Sequence, residues 1–431
     1  MRRRGADRSR RTFDALQVRN FRLYFWGQII SVSGTWMQSL AQAWLVLKLT
    51  GSGSELGLVT AVQFLPMLLA GSWGGLVADR VDKRRMLVFT QLAAGTLALV
   101  LGLLTLTGTV RVWMVFALAA GLGSVNAVDN PTRQSFVIEM VGPDRVTNAV
   151  TLNSVVMNGA RVVGPAIGGV LISTIGIAPC FLVNAGSFVA VVVALMAMNR
   201  KELRPTERVA ARRGQVKEGW RYVWSTPALR TPILLVAVIG TLAYNFTVTL
   251  PLLARYTFHR GAGGLGLMTS VFGFGAVVGG LITASRGDPN GKRLARTALT
   301  FGGLILATAA MPMFPLELVS LAVMGAFSIT FIVTANTSLQ LASAPEMRGR
   351  VMALYAVAFL GSTPIGAPLV GWISEVMNPR FGVGLGGAAT VIGAVLAWPS
   401  LTGGRIDDRV RLLARRGRVR ASPVETPAVE A

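Results

Sequence analysis

Five polar side chains, Gln28, Ser31, Thr35, Gln38 and Gln42, recur at steps of 3, 4, 3 and 4 within an apolar run from Phe21 to Leu47. That spacing puts them on one stripe of a helix, with Trp36 beside it. Arg161 lies in a second apolar run, with Ser154 and Asn158 at helical steps before it. It reads as the only charge deep inside such a run. An arginine at the centre of a lipid-embedded helix costs about 2.5 to 3.5 kcal/mol, so it must face a cavity or a partner. These residue types donate and accept hydrogen bonds; their chemistry is recognition. Covalent catalysis has little to work with. A single histidine, His259, and a single cysteine, Cys180, exclude a multi-histidine metal site and an intrachain disulfide. The stretch "GDPNGKR" at 287–293 lacks the spacing and the hydroxyl of a phosphate-binding loop. No enzyme activity, metal or cofactor is expected.

The elements that would hold these residues follow from composition. The chain is 52% hydrophobic and only 14% charged over 431 residues, far below the roughly 25% charge of ordinary soluble domains. Its solvent is expected to be largely lipid, where about 20 apolar residues make a spanning helix. Twelve such windows lie near 21–47, 55–78, 86–107, 111–130, 149–174, 177–198, 229–256, 265–285, 296–313, 315–338, 351–377 and 381–401. An all-α integral membrane fold is expected, because lipid-exposed backbone must satisfy its hydrogen bonds within its own segment.

The net charge of +23 would suggest nucleic acid in a soluble chain, but its placement decides otherwise. Of the 42 lysines and arginines, 36 fall in the termini and alternate loops and 5 in the others. This is a strong positive-inside pattern. It places both termini and the "DRVDKRR" loop in the cytoplasm and makes nucleic acid an improbable partner. The basic stretch 199–228 divides the chain into bundles at 21–198 and 229–401, between a basic N-terminus at 1–20 and a tail at 402–431. Within the linker, Val216, Trp220, Val223 and Trp224 share a helix face, which suits an interfacial helix on anionic lipid.

The halves resemble each other. "ELGLVTAV" at 55–62 recurs as "GLGLMTSV" at 264–271. Pro143, Leu152, Gly159, Gly164 and Gly169 match Pro345, Leu354, Gly361, Gly366 and Gly371 at a constant offset of 202. Duplicated six-helix halves of this kind build transporters with a site at their interface near mid-membrane.

After the second window the sequence runs "GGLVADRVDKRRM". Gly75, Asp79, Arg80, Lys83 and Arg84 resemble the loop pattern G-x-x-x-D-R-x-G-R-R of the major facilitator superfamily, with Asp82 where that family usually has glycine. The resemblance covers the whole twelve-span chain. It implies that Asp79 meets the start of the eleventh helix, and that the loop's bases reach an acid at the end of the fourth, here Asp129. Together these contacts would act as a cytoplasmic latch. "NGARVVGPAIGG", with Arg161, Gly164, Pro165, Gly168 and Gly169, is similar to the fifth-span motif of exporting members. Together with "NPTRQSFVIEMVGPDRVTNAVTLNS" and "GWRYVWSTPALR", it resembles the drug- and siderophore-exporting branch.

The resemblance further implies that the first span borders a central cavity. Candidate lining residues are Gln28, Thr35, Gln38, Gln42, Asn126 and Asn158 in the first half, with Thr241, Tyr244, Asn245, Asn336 and Tyr355 in the second. Few polar anchors in an otherwise apolar pocket suit amphipathic solutes. The implied activity is secondary export of small molecules by a monomer in the bacterial cytoplasmic membrane, coupled to protons. Asp129 and Glu375 are the nearest carboxylates for that role, which stays unassigned. An importer or uniporter on the same fold and a non-transporting membrane protein remain open alternatives.

Overall fold

A computed structural model describes residues 13–204, 215–285, 290–404, 406–410 and 412–413, with the side chains of 70–80, 215–216, 285 and 360 outside the described set. The basic stretch 1–12, linker residues 205–214 and the tail beyond 413 likewise lie outside it. Twelve principal helices, two of them broken, follow in order: α1 (Arg19–Thr50), α2 (Gly53–Arg80), α3 (Lys83–Leu106), α4 (Val112–Val141), α5 (Val146–Thr174) and α6 (Ala178–Met196). After a linker helix, Gln215–Trp224, come α7 (Pro227–Thr257), α8 (Ala262–Ser285), α9 (Gly291–Ala309), α10 (Phe314–Ala342), α11 (Arg348–Val376) and α12 (Pro379–Thr402).

Among the described residues, nine of these helices are long and apolar enough to cross a membrane. The glutamines and serines of α1 dilute its apolar face, and α9 opens on the basic run Lys292, Arg293 and Arg296. Large apolar side chains such as Phe89, Leu69, Leu281 and Leu396 point away from the bundle. Water would not tolerate this outward belt, but lipid does.

Local chemistry sets the turns. Ser52 caps α2 by accepting the Glu55 N–H at 3.1 Å, and Gly51 closes α1 in the left-handed region at φ +69°. Asp82, the departure from the family loop pattern, caps α3 by accepting the Arg85 N–H at 3.0 Å. The acid in the glycine position thus serves as a helix cap.

Two expectations need correction. The fourth helix does not stop near residue 130 but runs through Asn130–Pro131 to Val141. Its charges look like a loop in sequence, yet Asp129 and Arg133 pair four residues apart along the helix. Thr132 and Ser135 return their hydroxyls to the Val128 and Pro131 carbonyls at 2.7 and 3.0 Å. Arg161 is consequently not the only charge inside a span. The eleventh helix is also interrupted, at Gly361–Ser362. Pro364 lacks an N–H and its ring clashes with the carbonyl four residues back. A similar break in α7 at Ala243–Asn245 is patched by the Asn245 side-chain amide, which donates to the Thr241 carbonyl at 2.7 Å.

The sequence repeat reappears as packing. Helix α1 rests on α5 and α6 as α7 rests on α11 and α12; α2 rests on α4 as α8 rests on α10; α3 rests on α6 as α9 rests on α12. The halves meet through α2 against α11 and α5 against α8. Matched glycines make these approaches possible. A Cβ at Gly164 would sit 2.5 Å from the Ser33 carbonyl of α1, while its mate Gly366 faces Thr241 of α7. Gly169 packs on Gly266 of α8, and Gly371 on Gly53 and Gly57 of α2. Each fifth helix therefore uses one glycine inside its own half and one across the interface.

Candidate substrate cavity

Between the halves lies a cavity of about 230 Å³. The first half lines it with Trp36, Ser39, Leu40 and Ala43 of α1, Phe64 of α2, and Arg161 and Pro165 of α5. The second half contributes Tyr244, Phe246, Leu265, Phe272, Ser328, Ile332 and Phe359, among others. Pro165, one turn after Arg161, cannot donate to the Arg161 carbonyl, and the loosened turn admits α8. Ser270 donates its hydroxyl to the Val162 carbonyl at 2.8 Å, and Gly273 lies against the Arg161 carbonyl.

Arg161 holds its guanidinium carbon 5.0 Å from the centre of the Trp36 ring. A desolvated contact of this kind contributes about 2 kcal/mol, comparable to the insertion cost of an arginine. Its buried Nε has no hydrogen-bond partner among the described residues. Across the cavity, Tyr244 donates its hydroxyl to the Ser328 carbonyl at 2.7 Å. Its ring packs 4.8 Å from Phe359 and 5.5 Å from Phe246. The second wall is thus a fixed aromatic surface.

The α1 stripe is placed differently. Gln28 accepts from Arg133 of α4, Gln38 accepts from Asn184 of α6 at 2.6 Å, and Gln42 donates to Gln63 of α2 at 2.9 Å. Ser31 is buried, and Thr35 returns its hydroxyl to the Ser31 carbonyl at 2.9 Å. The stripe joins helices within the first half, and the neighbouring residues Trp36 and Ser39 face the cavity. Gln42 also lines a smaller pocket of about 120 Å³ with Gln63 and Thr60, and Thr35 is exposed.

Other candidates lie off the cavity wall. Asn126 is half-buried on α4, and Asn158 donates to the Ser154 carbonyl at 2.8 Å. Asn245 is buried at the α7 break, and Asn336 accepts from Gln340 at 2.5 Å. Tyr355 stacks on Phe359 at 6.1 Å and so supports the wall from behind. Gly168 rests on Met37 of α1.

The loop residues also find specific partners. Lys83 pairs with Glu139 at 2.5 Å, and Arg84 donates to the Leu195 and Met196 carbonyls at 2.6 and 2.9 Å. Neither Lys83 nor Arg84 pairs with Asp129 among the described contacts. Asp129 accepts from Thr90 at 2.6 Å and Gln91 at 2.9 Å and pairs with Arg133. Gly75, Asp79 and Arg80 fall on the last turns of α2, where the side chains lie outside the described set. In the linker helix, Val223 is buried in the second-half core, while Trp220 and Trp224 are exposed and stacked at 4.7 Å. Val216 lies outside the described side chains.

The face opposite the linker is closed by bonds between the halves. Glu375, ending α11, accepts from the Ser52 hydroxyl at 2.7 Å and the Ser54 N–H at 2.8 Å at the start of α2. Arg255 and Tyr256 of α7 donate to the Leu47 and Gly51 carbonyls at 2.6 and 2.5 Å. The sequence offered no periodic signal for this cluster, since its acceptors are mostly backbone carbonyls.

A family model described as transmembrane secretion effector matches residues 10–402. The multidrug efflux pump Tap of Mycolicibacterium fortuitum is 26% identical over 368 residues, covering 82% of this chain and 88% of its own. The enterobactin exporter EntS of Citrobacter koseri is 24% identical over 379 residues, covering 87% and 90%. Among solved structures, an inward-facing bacterial homolog of the human lysosomal transporter Spinster superposes with a TM-score of 0.67 at 14% identity, over 94% of this chain and 98% of that one.

Proposed function

The chain belongs to the transmembrane secretion effectors, transporters of the major facilitator type, and from that premise we propose that it exports amphipathic small molecules by alternating access. The observation that carries this reading is the aromatic cavity at the interface of two matched halves, closed on one face by interdomain hydrogen bonds. The lysine and arginine distribution supports a cytoplasmic linker face, which in this reading makes the closed face extracellular. In that posture the site takes its solute from inside the cell. That Tap is an efflux pump and EntS an exporter supports the outward direction.

In this reading the two six-helix halves rock about the α2–α11 and α5–α8 contacts, and Asp79 holds the cytoplasmic face once it closes. Proton exchange drives the return, and the transporter works as a monomer whose basic linker face rests on anionic lipid.

Uptake into inverted membrane vesicles tests the proposal. A panel of dyes and antibiotics is expected to accumulate when a pH gradient is imposed and to leak back when it is dissipated. Accumulation in right-side-out vesicles alone would make the protein an importer. Flux indifferent to the gradient would remove proton coupling, and no flux for any solute would remove transport.

A further inference from the structure

We propose that the interface cavity selects amphipathic organic anions, with the Arg161 guanidinium as the anion-recognising group. The inference deepens the exporter reading and rests on its assignment of this cavity as the transport site. Among the described residues that line the cavity, Arg161 is the only one with a formal charge. No carboxylate pairs with it among the described residues, and its Nε is buried without a hydrogen-bond partner. The ring of Trp36 stacks against the guanidinium in this state, and Tyr244 lies within electrostatic range of it.

A π face attracts a cation but accepts none of its hydrogen bonds. A carboxylate, sulfonate or ionised enol would accept two at once in the guanidinium plane. Low local dielectric strengthens that exchange. A cationic solute meets the opposite situation, repelled by Arg161 with no acid on the wall to receive it. The remaining surface sets the rest of the ligand. Tyr244 already donates its hydroxyl hydrogen bond to the Ser328 carbonyl, so with Phe246, Phe272 and Phe359 it offers its ring to a solute. The fitting solute is therefore polarised: a negatively charged head toward α5 and an aromatic or aliphatic body toward α7, α8 and α11.

Fluorescence anisotropy on the full chain in detergent tests this with two dyes on one xanthene frame, fluorescein as the anion and rhodamine 123 as the cation. Fluorescein should bind at least about ten-fold more tightly; Arg161→Gln should erase the difference, and Arg161→Lys should keep part of it. Ser39→Asp, which adds an acid to the same cavity, should shift preference toward rhodamine 123 and serves if Arg161→Gln fails to fold. Equal or tighter binding of rhodamine 123, binding of neither dye, or a preference unmoved by these substitutions would overturn the proposal. Displacement of fluorescein by phosphatidylglycerol at equal concentration would give the cavity to a lipid headgroup and overturn it for soluble solutes. The vesicle flux assay scores the exporter reading separately. Flux without charge preference sinks the anion assignment alone, and absence of all flux sinks transport while leaving the binding comparison readable.

Discussion

Asp129 and Arg133 show how a membrane helix carries full charges. The carboxylate takes Thr90, Gln91 and its own arginine, and the arginine reaches Gln28 of α1. Removing one partner leaves the other charge buried and alone, a loss of about 3 to 5 kcal/mol. Asp129→Asn should therefore lower the denaturation temperature in detergent sharply, and adding Arg133→Gln should restore much of it. Glu317 of α10 is the contrasting case. It is fully buried, and neither carboxyl oxygen has a hydrogen-bond partner among the described residues. The nearby Arg380 donates to the Met311 carbonyl at 2.8 Å. Unlike Asp129, this carboxyl forms no ion pair among the described residues. Glu317→Gln is expected to cut the gradient-driven part of vesicle uptake several-fold and spare gradient-free flux. Full stimulation in the variant would clear Glu317 of that role.

Helix packing makes the repeat glycines testable as a matched pair. Gly169 on α5 lies against Gly266 of α8, whereas Gly159 on the same helix has open space around it. Gly169→Val should force α5 and α8 apart, costing about 1 to 3 kcal/mol and most of the transport rate. Gly159→Ala should be nearly silent in both melting temperature and flux. This glycine pattern is legible in the sequence, because a constant offset marks equivalent helix faces. The twelve helices were legible for a related reason: a span must be long and apolar, and charges can gather only at its ends. The same rule misread α4, whose Asp129, Arg133 and Glu139 look like loop charges until their partners on α1 and α3 are seen. The α1 stripe shows a second limit. Its periodicity revealed a polar face, but whether that face met a cavity or neighbouring helices depended on Asn184, Gln63 and Arg133, which lie on other helices.

At the scale of the whole molecule, α2 and α11 run antiparallel and carry an acid at each C-terminal end. Glu375 reaches the start of α2 on the closed face, and Asp79 ends α2 at the opposite face. Glu375→Gln should weaken closure by about 1 kcal/mol, roughly five-fold in population. The readout is the reactivity of Ser39→Cys toward an impermeant thiol reagent from outside, in a Cys180→Ser background. That reactivity should rise, whereas Asp79→Asn should lower it and slow turnover while leaving insertion intact. Unchanged labelling in Glu375→Gln would reduce the cluster to ordinary helix capping.

The unpaired guanidinium beside Trp36 has an electrical consequence. Under the proposed export of organic anions, a solute that neutralises Arg161 would carry negative charge outward, from a cytoplasm that is electrically negative in bacteria. Each unit charge then gains about 2.3 kcal/mol per 100 mV on leaving, so voltage alone can empty the cell of such a solute. In proteoliposomes, a valinomycin-imposed potassium potential, negative on the loading side, should accelerate fluorescein efflux with no pH difference across the membrane.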